Sequence, residues 1–270
     1  MTLRTVRYRL FALARRWVPR GLHEPLGRWR WLRPLRDALI RPGGAESVVG
    51  GPVEFAGRRF HFEAPFHVYH QASTRGIETL LSRYVKTWPS PDWTCVDVGS
   101  HCGFLTLMMA FSVPDGRVIA CEARSDTAAL LRRNLAANEV DSRCDVVEGF
   151  VGADDQPASR RRRLDSILQE RAIERIDLLK IDVDGGDLDV LRGAVEAVRR
   201  DRPIVIVELA ANERAIYDWL RDAGYDHIAG TYLEVVDPEA DDFSGWPPNL
   251  VAATRPLSPD QPFGSRGEHP

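Results

Sequence analysis

The segment VDVGSHCGF, residues 96–104, decides the fold of this chain. An apolar strand runs into a turn that contains Gly99 and Gly103, and a helix follows. Ligands of open α/β sheets bind outside the carboxyl ends of the strands, and glycines let the backbone approach a ligand closely. The glycine spacing is G-x-x-x-G, whereas the dinucleotide fingerprint is G-x-G-x-x-G. Asp97 would repel a phosphate, so the turn favours a ligand with a positively charged group, such as the ammonium of S-adenosylmethionine.

Strands and helices alternate outward from this segment. Such alternation predicts a Rossmann-like α/β domain over residues 93–255, with a mainly parallel seven-stranded sheet and helices on both faces. The predicted strands are residues 94–98, 117–121, 145–148, 176–181, 203–207, 226–229 and 250–254. The predicted helices are residues 104–111, a helix with Ser125 as its N-cap, residues 164–170, one stripe through Leu188, Leu191, Val195 and Val198, and residues 212–223 stopped by Gly224.

Two extensions precede this domain and a tail follows it. Residues 43–92 predict a small β-hairpin that turns at Ala56-Gly57, and a helix over residues 75–86 that carries Glu78. Residues 256–270 are rich in proline, glycine and charge, which predicts a disordered tail.

The first extension, residues 1–42, is a basic arm. Its only acids are Glu24 and Asp37, and its apolar residues recur near helical period, which predicts an amphipathic helix. This helix either packs on the catalytic domain or makes a peripheral contact with an anionic membrane surface.

Net charge, cysteine spacing and the length of apolar runs exclude several classes of function. A chain of 270 residues with a net charge of −3 has no global attraction to nucleic acid. Its cysteines are scattered, with no CxxC pair, which indicates reduced thiols rather than a disulfide framework or zinc site. No apolar run is long enough to cross a bilayer. These features predict a cytoplasmic protein, or one held at the inner face of the membrane by its arm.

Glu122 ends the strand after the glycine turn, where a carboxylate can accept hydrogen bonds from a ribose diol. The cofactor site predicted from the two strand ends also includes their neighbours. It comprises Asp97, Gly99, Ser100, Gly103, Phe104, Glu122, Ala123, Glu148, Gly149 and Asp182.

A third motif, LLKIDVDGGD at residues 178–187, runs from a strand into an acidic turn. Asp182 ends a buried strand, where a bare carboxylate is costly unless it is paired or functional. Asp187 is placed to act as an acid at the first turn of the next helix. Asp182 is therefore the predicted functional residue of this motif.

Together these segments resemble the FkbM family of S-adenosylmethionine-dependent methyltransferases, over roughly residues 77–208. The matching motifs are VDVGSHCGF at 96–104, VIACEA at 118–123, LDSIL at 164–168, LLKIDVDGGDLDVLRGA at 178–194 and IVIVEL at 204–209. The chain departs from the family at Ser100-His101, where alanine-asparagine is usual, and at Asp184 and Asp187, where glutamates are usual.

The resemblance implies O-methylation of a hydroxyl on a sugar, glycolipid or natural product. A hydroxyl is a weak acid, so a general base helps, and the candidates are Asp182, Asp184, His101 and Glu208. The three acids could instead hold a divalent cation, as in metal-dependent methyltransferases of vicinal hydroxyls, although no metal ligand is assigned. The other rivals are a nicotinamide dehydrogenase, which Asp97 disfavours, and a non-catalytic protein with the same fold.

The acceptor is predicted to be a small molecule or glycan. The loop from Gly230 to Pro248, with Tyr232, Phe243 and Trp246, and the region before Trp93 are expected to shape its pocket. The arginine run at residues 160–163 is expected to be a solvated loop rather than a nucleic-acid contact. Oligomeric state is left open by the sequence.

Overall fold

The computed structural model describes residues 47–210, 212–236 and 247–259. The basic arm, Phe243, Trp246 and most of the predicted tail therefore lie outside the described residues. Within the described residues, no helix is both long and apolar enough to cross a membrane.

The predicted hairpin is confirmed. Its strands are β1 (Val48–Phe55) and β2 (Arg58–Pro65), and the turn residues Ala56 and Gly57 have φ values of 47° and 74°. Two helices follow, α1 (Phe66–Arg75) and α2 (Thr79–Thr87). The helix predicted over residues 75–86 corresponds to α2, but it begins only at Thr79, because Gly76 and Glu78 have φ values of 80° and 42° that are not helical; α1 was not predicted.

The remaining elements alternate as the sequence predicts. They are β3 (Thr94–Val98), α3 (Phe104–Ser112), β4 (Arg117–Glu122), α4 (Ser125–Ala137), β5 (Cys144–Glu148), β6 (Phe150–Val151), β7 (Arg161–Arg162), α5 (Leu164–Glu170), β8 (Leu178–Ile181), α6 (Asp187–Gly193), α7 (Val195–Asp201), β9 (Ile204–Glu208), α8 (Glu213–Asp222), β10 (His227–Gly230) and β11 (Asn249–Ala253).

The sheet is Rossmann-like, with seven strands in the order β10-β11-β9-β8-β3-β4-β5. Only β11 among these strands runs against the others, pairing antiparallel with β9 and β10. The chain builds β4 and β5 on one side of β3 and then crosses to β8 and β9 on the other side. The switch in strand order therefore falls between β3 and β8, where ligands of such sheets bind.

Alternate residues of the central strands pack into two apolar layers, one on each face of the sheet. On β3 and β8, Cys95 and Leu178 join one layer, whereas Val96 and Leu179 join the other. Both faces are covered, which explains why these strands are almost entirely apolar.

The hairpin shares the core of the sheet domain. Phe104, the first residue of α3, packs edge-to-face against Phe55, Phe60 and Phe62, with ring centroids 5.5–5.7 Å apart. Aromatic pairs in this arrangement are worth about 0.5–1.5 kcal/mol beyond their buried area.

Asn134 on α4 and Asn138, the C-cap residue that follows α4, bind the outer edge of β2. The Asn134 side chain accepts from the Glu63 N–H at 2.6 Å and donates to the Glu63 and Cys102 carbonyls, both at 2.8 Å. Asn138 accepts from the His61 N–H at 2.9 Å and donates to the His61 carbonyl at 2.7 Å. The two amides therefore satisfy backbone groups that a further strand would otherwise pair with.

Three local predictions were wrong. Ser125 does not cap α4: Arg124 is the N-cap residue, and the Ser125 hydroxyl instead donates to Glu148. The stripe from Leu188 to Val198 is two helices that meet at Ala194, whose φ of −111° and ψ of 9° are not helical. Disorder does not begin at Pro256, because the Ser258 carbonyl accepts a hydrogen bond of 2.8 Å from the indole of buried Trp88.

The four cysteines, Cys95, Cys102, Cys121 and Cys144, are buried, and none of them forms a disulfide within the described residues. Burial raises the pKa of Cys121 to about 12, which makes this thiol a poor nucleophile.

Candidate cofactor and catalytic site

The glycine turn between β3 and α3 is built for close backbone approach. Gly99 has φ of 83°, and a Cβ at this position would lie 1.8 Å from the Asp182 carbonyl oxygen. Gly103 has φ of 88°, and its Cβ would lie 2.3 Å from Leu131 Cδ1. Both positions therefore require glycine, for conformation and for space.

Side chains and main chain hold this turn in place. Ser100 Oγ donates to the carbonyls of Asp97 and Cys121 at 2.7 and 3.1 Å. Gly99 and Ser100 N–H groups both donate to the Cys121 carbonyl. Ser100 thus stabilises the turn through its hydroxyl, so any ligand contact is left to its backbone.

Asp97 is fully buried at the end of β3, and its two oxygens have different surroundings. Oδ2 accepts a hydrogen bond of 2.5 Å from Thr106 Oγ1. Oδ1 accepts none, and its nearest cation is Lys180 Nζ at 3.6 Å. A buried carboxylate oxygen without a hydrogen bond is costly, which marks Oδ1 as a site for a ligand donor.

Glu122 ends β4, as predicted, and is almost fully buried. Its carboxylate accepts backbone hydrogen bonds from His101 and Arg124, each of 2.9 Å. Each oxygen retains a further lone pair, so the carboxylate can position two turns and still accept from a diol. Ala123 lies beside it and is half-buried.

Lys180 is the centre of the charged cluster at the switch point. Its Nζ lies 3.2 Å from Asp182 Oδ2 and 3.5 Å from the Gly99 carbonyl, in addition to Asp97. Burial opposes its charge, but the carboxylates of Asp97, Asp182 and Glu78 outweigh that penalty and raise the pKa of Lys180. Lys180 is therefore a fixed cation.

Asp182 lies between two other carboxyl groups. Burial opposes its charge, but Lys180 and hydrogen bonding with Glu208 and Glu78 lower its pKa overall. Burial and hydrogen bonding with Asp182 raise the pKa of Glu208 to about 8. The pair is thus split into an ionised Asp182 and a Glu208 that titrates near neutral pH, a pattern typical of acid–base sites.

The remaining base candidates lie at the same edge of the sheet. His101 has a left-handed backbone, with φ of 50°, and an exposed side chain. Partial burial is the main cause that lowers the pKa of His101. The charge of Glu122 opposes this shift, whereas His67 and Lys180 add to it. Asp184 is exposed on the β8–α6 turn, with φ of 56°. Asp187 closes that turn by accepting from the Val183 and Gly185 N–H groups, as its predicted structural role requires.

Three predicted cofactor residues have no side chain that is free to bind a ligand. Two of these side chains contact other parts of the protein, and the third residue is a glycine. Phe104 points into the hairpin core, so only its backbone can face a ligand. Glu148 is paired with Ser125, Arg132 and Arg160, so a ligand would have to compete for it. Gly149 donates its N–H to the Glu122 carbonyl at 3.0 Å.

The arginines of residues 160–163 form ion pairs with neighbouring acids. Arg160, Arg161 and Arg162 pair with Glu148, Asp154 and Glu170, respectively. Arg163 bridges Asp165 and Glu196 at 2.9 Å. Paired arginines do not form a free phosphate-binding surface. The predicted solvated loop was wrong, however, because Arg161–Arg162 form β7 and are half-buried.

Sequence reasoning missed Lys180, Glu78 and Thr106. A lysine inside the apolar run LLKI was a signal, because a buried ammonium is costly unless carboxylates surround it. Among the described residues, no group of three or more histidine, cysteine or acidic side chains is arranged to hold a metal ion. At the switch point, the cation nearest the acids is the Lys180 ammonium.

Residues 151–226 match the family model described as the Methyltransferase FkbM domain. The predicted resemblance to the FkbM family is confirmed over this segment. This segment contains the strand ends that carry Asp182 and Glu208, while the glycine turn and Glu122 precede it.

Other known proteins resemble parts of the chain. A 75-residue segment is 37% identical to the AMB antimetabolite synthetase AmbE of Pseudomonas aeruginosa, covering 25% of this chain and 4% of AmbE. A crystal structure of Methyltransferase FkbM from Methylobacillus flagellatus is 19% identical, with a TM-score of 0.47, covering 61% of this chain and 44% of that chain. The O-methyltransferase TomG of Streptomyces achromogenes, solved with S-adenosylmethionine, is 17% identical, with a TM-score of 0.42, covering 65% of this chain and 78% of that one.

Proposed function

We propose that this protein is an S-adenosylmethionine-dependent methyltransferase that methylates a hydroxyl group. The observation that carries the proposal is the carboxyl edge of β3 and β8, where the glycine turn meets the buried Asp97. At the centre of this edge, Lys180 faces the acids Asp97, Asp182 and Glu78. A cationic ligand would balance that excess of negative charge.

The described residues fit this cofactor. Asp97 Oδ1, buried and without a hydrogen bond, suits the electropositive end of the ligand. Glu122 suits the ribose diol, and the glycines leave room for the ligand against the backbone. A dinucleotide would bring its pyrophosphate toward Asp97, where like charges repel. S-adenosylmethionine, when bound, supplies an electrophilic methyl group on a sulfonium.

Glu208 is the general base of this proposal. Its pKa of about 8 is close to physiological pH, where a base is both available and strong enough to accept a proton. Asp182 holds that pKa up through its negative charge and hydrogen bond. With the cofactor bound, Glu208 would accept the proton of the acceptor O–H as the oxygen forms its bond to the methyl carbon; the bond between methyl and sulfur would break, and its electron pair would stay on sulfur. His101 and Asp184 lie at the same edge as the alternative bases.

The acceptor class rests on the family resemblance and on the chemistry of this edge. Carboxylates accept hydrogen bonds from polyols, and Tyr232, which is 76% exposed, follows β10 at the carboxyl edge of the sheet. We therefore propose a sugar, glycolipid or hydroxylated natural product as the acceptor. Cytoplasmic location and membrane contact through the arm stay predictions.

Calorimetry of the full chain with S-adenosylmethionine, S-adenosylhomocysteine and NAD tests the proposal. We expect micromolar binding of both sulfur ligands and none of NAD. Binding of NAD alone would favour a dehydrogenase, and binding of none of the three would favour a non-catalytic protein. A parallel titration of Asp97→Asn should show strongly weakened binding of the sulfur ligands, because the variant loses the buried negative charge.

A further inference from the structure

Glu78 is a carboxylate that the extension contributes to the charged cluster of the sheet domain. It precedes α2 and lies close enough to Lys180, Asp182 and Asp97 for their charges to interact. Asp97 and the pair Lys180–Asp182 end two different strands, β3 and β8, so three separate segments of the chain converge at the switch point.

The backbone at Glu78 is unusual for its residue type. Its φ of 42° and ψ of 54° place it in the left-handed region, which few residues other than glycine, asparagine and aspartate adopt. A non-glycine residue in this region costs free energy, and such residues cluster at ligand-binding sites. The Glu78 carboxyl is hydrogen-bonded with that of Asp182. Burial raises the pKa of Glu78, and this hydrogen bond acts in the same direction.

The cluster also contains an unsatisfied acceptor. Asp97 Oδ1 is buried without a hydrogen bond, and Lys180 is shared among Asp97, Asp182 and Glu78. A second ammonium group, brought by a ligand, would supply the missing donor and the missing positive charge. Glu78 and Asp97 belong to different parts of the chain, the extension and β3, and both interact with the Lys180 charge.

We propose that Glu78, together with Asp97, binds the α-ammonium group at the amino-acid end of the cofactor, so that the extension completes the cofactor site. This inference rests on the proposed function, because it names a contact to the same ligand. It assigns residues 47–92 a role in ligand binding beyond packing on the sheet domain.

A pair of ligands separates this role from a structural one. S-adenosylhomocysteine carries the ammonium group, whereas 5′-methylthioadenosine has the same nucleoside and sulfur without the amino-acid end. Calorimetry of Glu78→Gln should show affinity for S-adenosylhomocysteine reduced roughly tenfold or more, the usual loss for a charge-assisted hydrogen bond. Affinity for 5′-methylthioadenosine should be unchanged.

Two further variants keep the result interpretable. Glu54→Gln, an exposed acid on β1, should change neither affinity. Glu78→Gly removes the carboxylate but suits the left-handed backbone, so it should retain the fold by urea unfolding and still lose affinity for S-adenosylhomocysteine. Equal losses for both ligands in Glu78→Gln, or no loss for either, would overturn the assignment. Wild-type protein that binds neither ligand would instead refute the proposed function itself.

Discussion

The pKa of Glu208 makes a prediction about stability that needs no knowledge of the acceptor. The ordinary value is 4.5, and the folded protein raises it to about 8. Between these two values the folded state binds a proton that the unfolded state has released, so the free energy of unfolding falls as pH rises through this window. Glu208→Gln stays neutral and avoids this loss. The variant should therefore become more stable than the wild type above pH 8, relative to their difference at pH 5.

The size of the effect follows from the pKa difference. Each pKa unit corresponds to about 1.4 kcal/mol, so the full difference sets an upper bound of about 5 kcal/mol. Glu208 is only half-buried, and it shares its titration with Asp182, so we expect about 2 kcal/mol. The charged groups that face it are Asp182, Asp184 and Asp187. Comparing variant with wild type cancels the titration of groups that do not interact with Glu208.

Urea unfolding at pH 5, 7 and 9 measures this difference, with Glu54→Gln as the control for loss of an exposed acid. A stability difference that stays constant across the three pH values would refute the reasoning, because it would mean that Glu208 titrates normally in the folded protein. Once an acceptor is found, wild-type turnover should rise roughly tenfold between pH 7 and pH 9. Glu208→Gln should lose about 10²-fold or more at pH 9, where the wild-type base is ionised, and its turnover should lack the rise between pH 7 and pH 9.

Three other substitutions test the remaining parts of the site and its support. Gly99→Ala should abolish binding of S-adenosylhomocysteine in calorimetry. The alanine Cβ would lie 1.8 Å from the Asp182 carbonyl oxygen, so the turn would have to move. Near-normal affinity would mean that the turn does not approach the ligand. Asn134→Ala should lower the free energy of unfolding by about 3 kcal/mol, because it leaves three backbone groups without partners, and a loss below about 0.5 kcal/mol in urea unfolding would contradict this. Lys180→Met should cost about 3–5 kcal/mol, because it leaves Asp97 and Asp182 as uncompensated charges; intact stability at pH 7 would show that they do not need the cation.

The alternation of strands and helices and the place of the site follow from local sequence patterns. Apolar runs such as residues 94–98 and 204–208 have no polar face, which requires cover on both sides. Parallel strands bring their carboxyl ends to one edge, so Asp97, Glu122, Asp182 and Glu208 could be placed together before any distance was known.

The contacts that cross between distant segments could not be predicted in this way. Glu78 lies more than 100 positions before Lys180 in the printed sequence, and nothing local to either residue indicates the other. The break at Ala194 also has no proline or glycine at the position itself, so a continuous apolar stripe concealed two helices. Ser125 has the right chemistry for a cap, but Glu148 offers its hydroxyl a charged acceptor instead.

The hydrogen bonds between β2 and the side chains of Asn134 and Asn138 involve only the main chain of β2. Both amides bind the N–H and C=O groups of Glu63 and His61 and leave the side chains of those residues uninvolved. The residues at positions 61 and 63 can therefore change without loss of the amide hydrogen bonds; what a change at Glu63 would lose is the ion pair of 2.9 Å with Arg133 on α4. A chimera that receives a foreign hairpin should accept it when Asn134 and Asn138 are kept and the inward-facing phenylalanines are preserved.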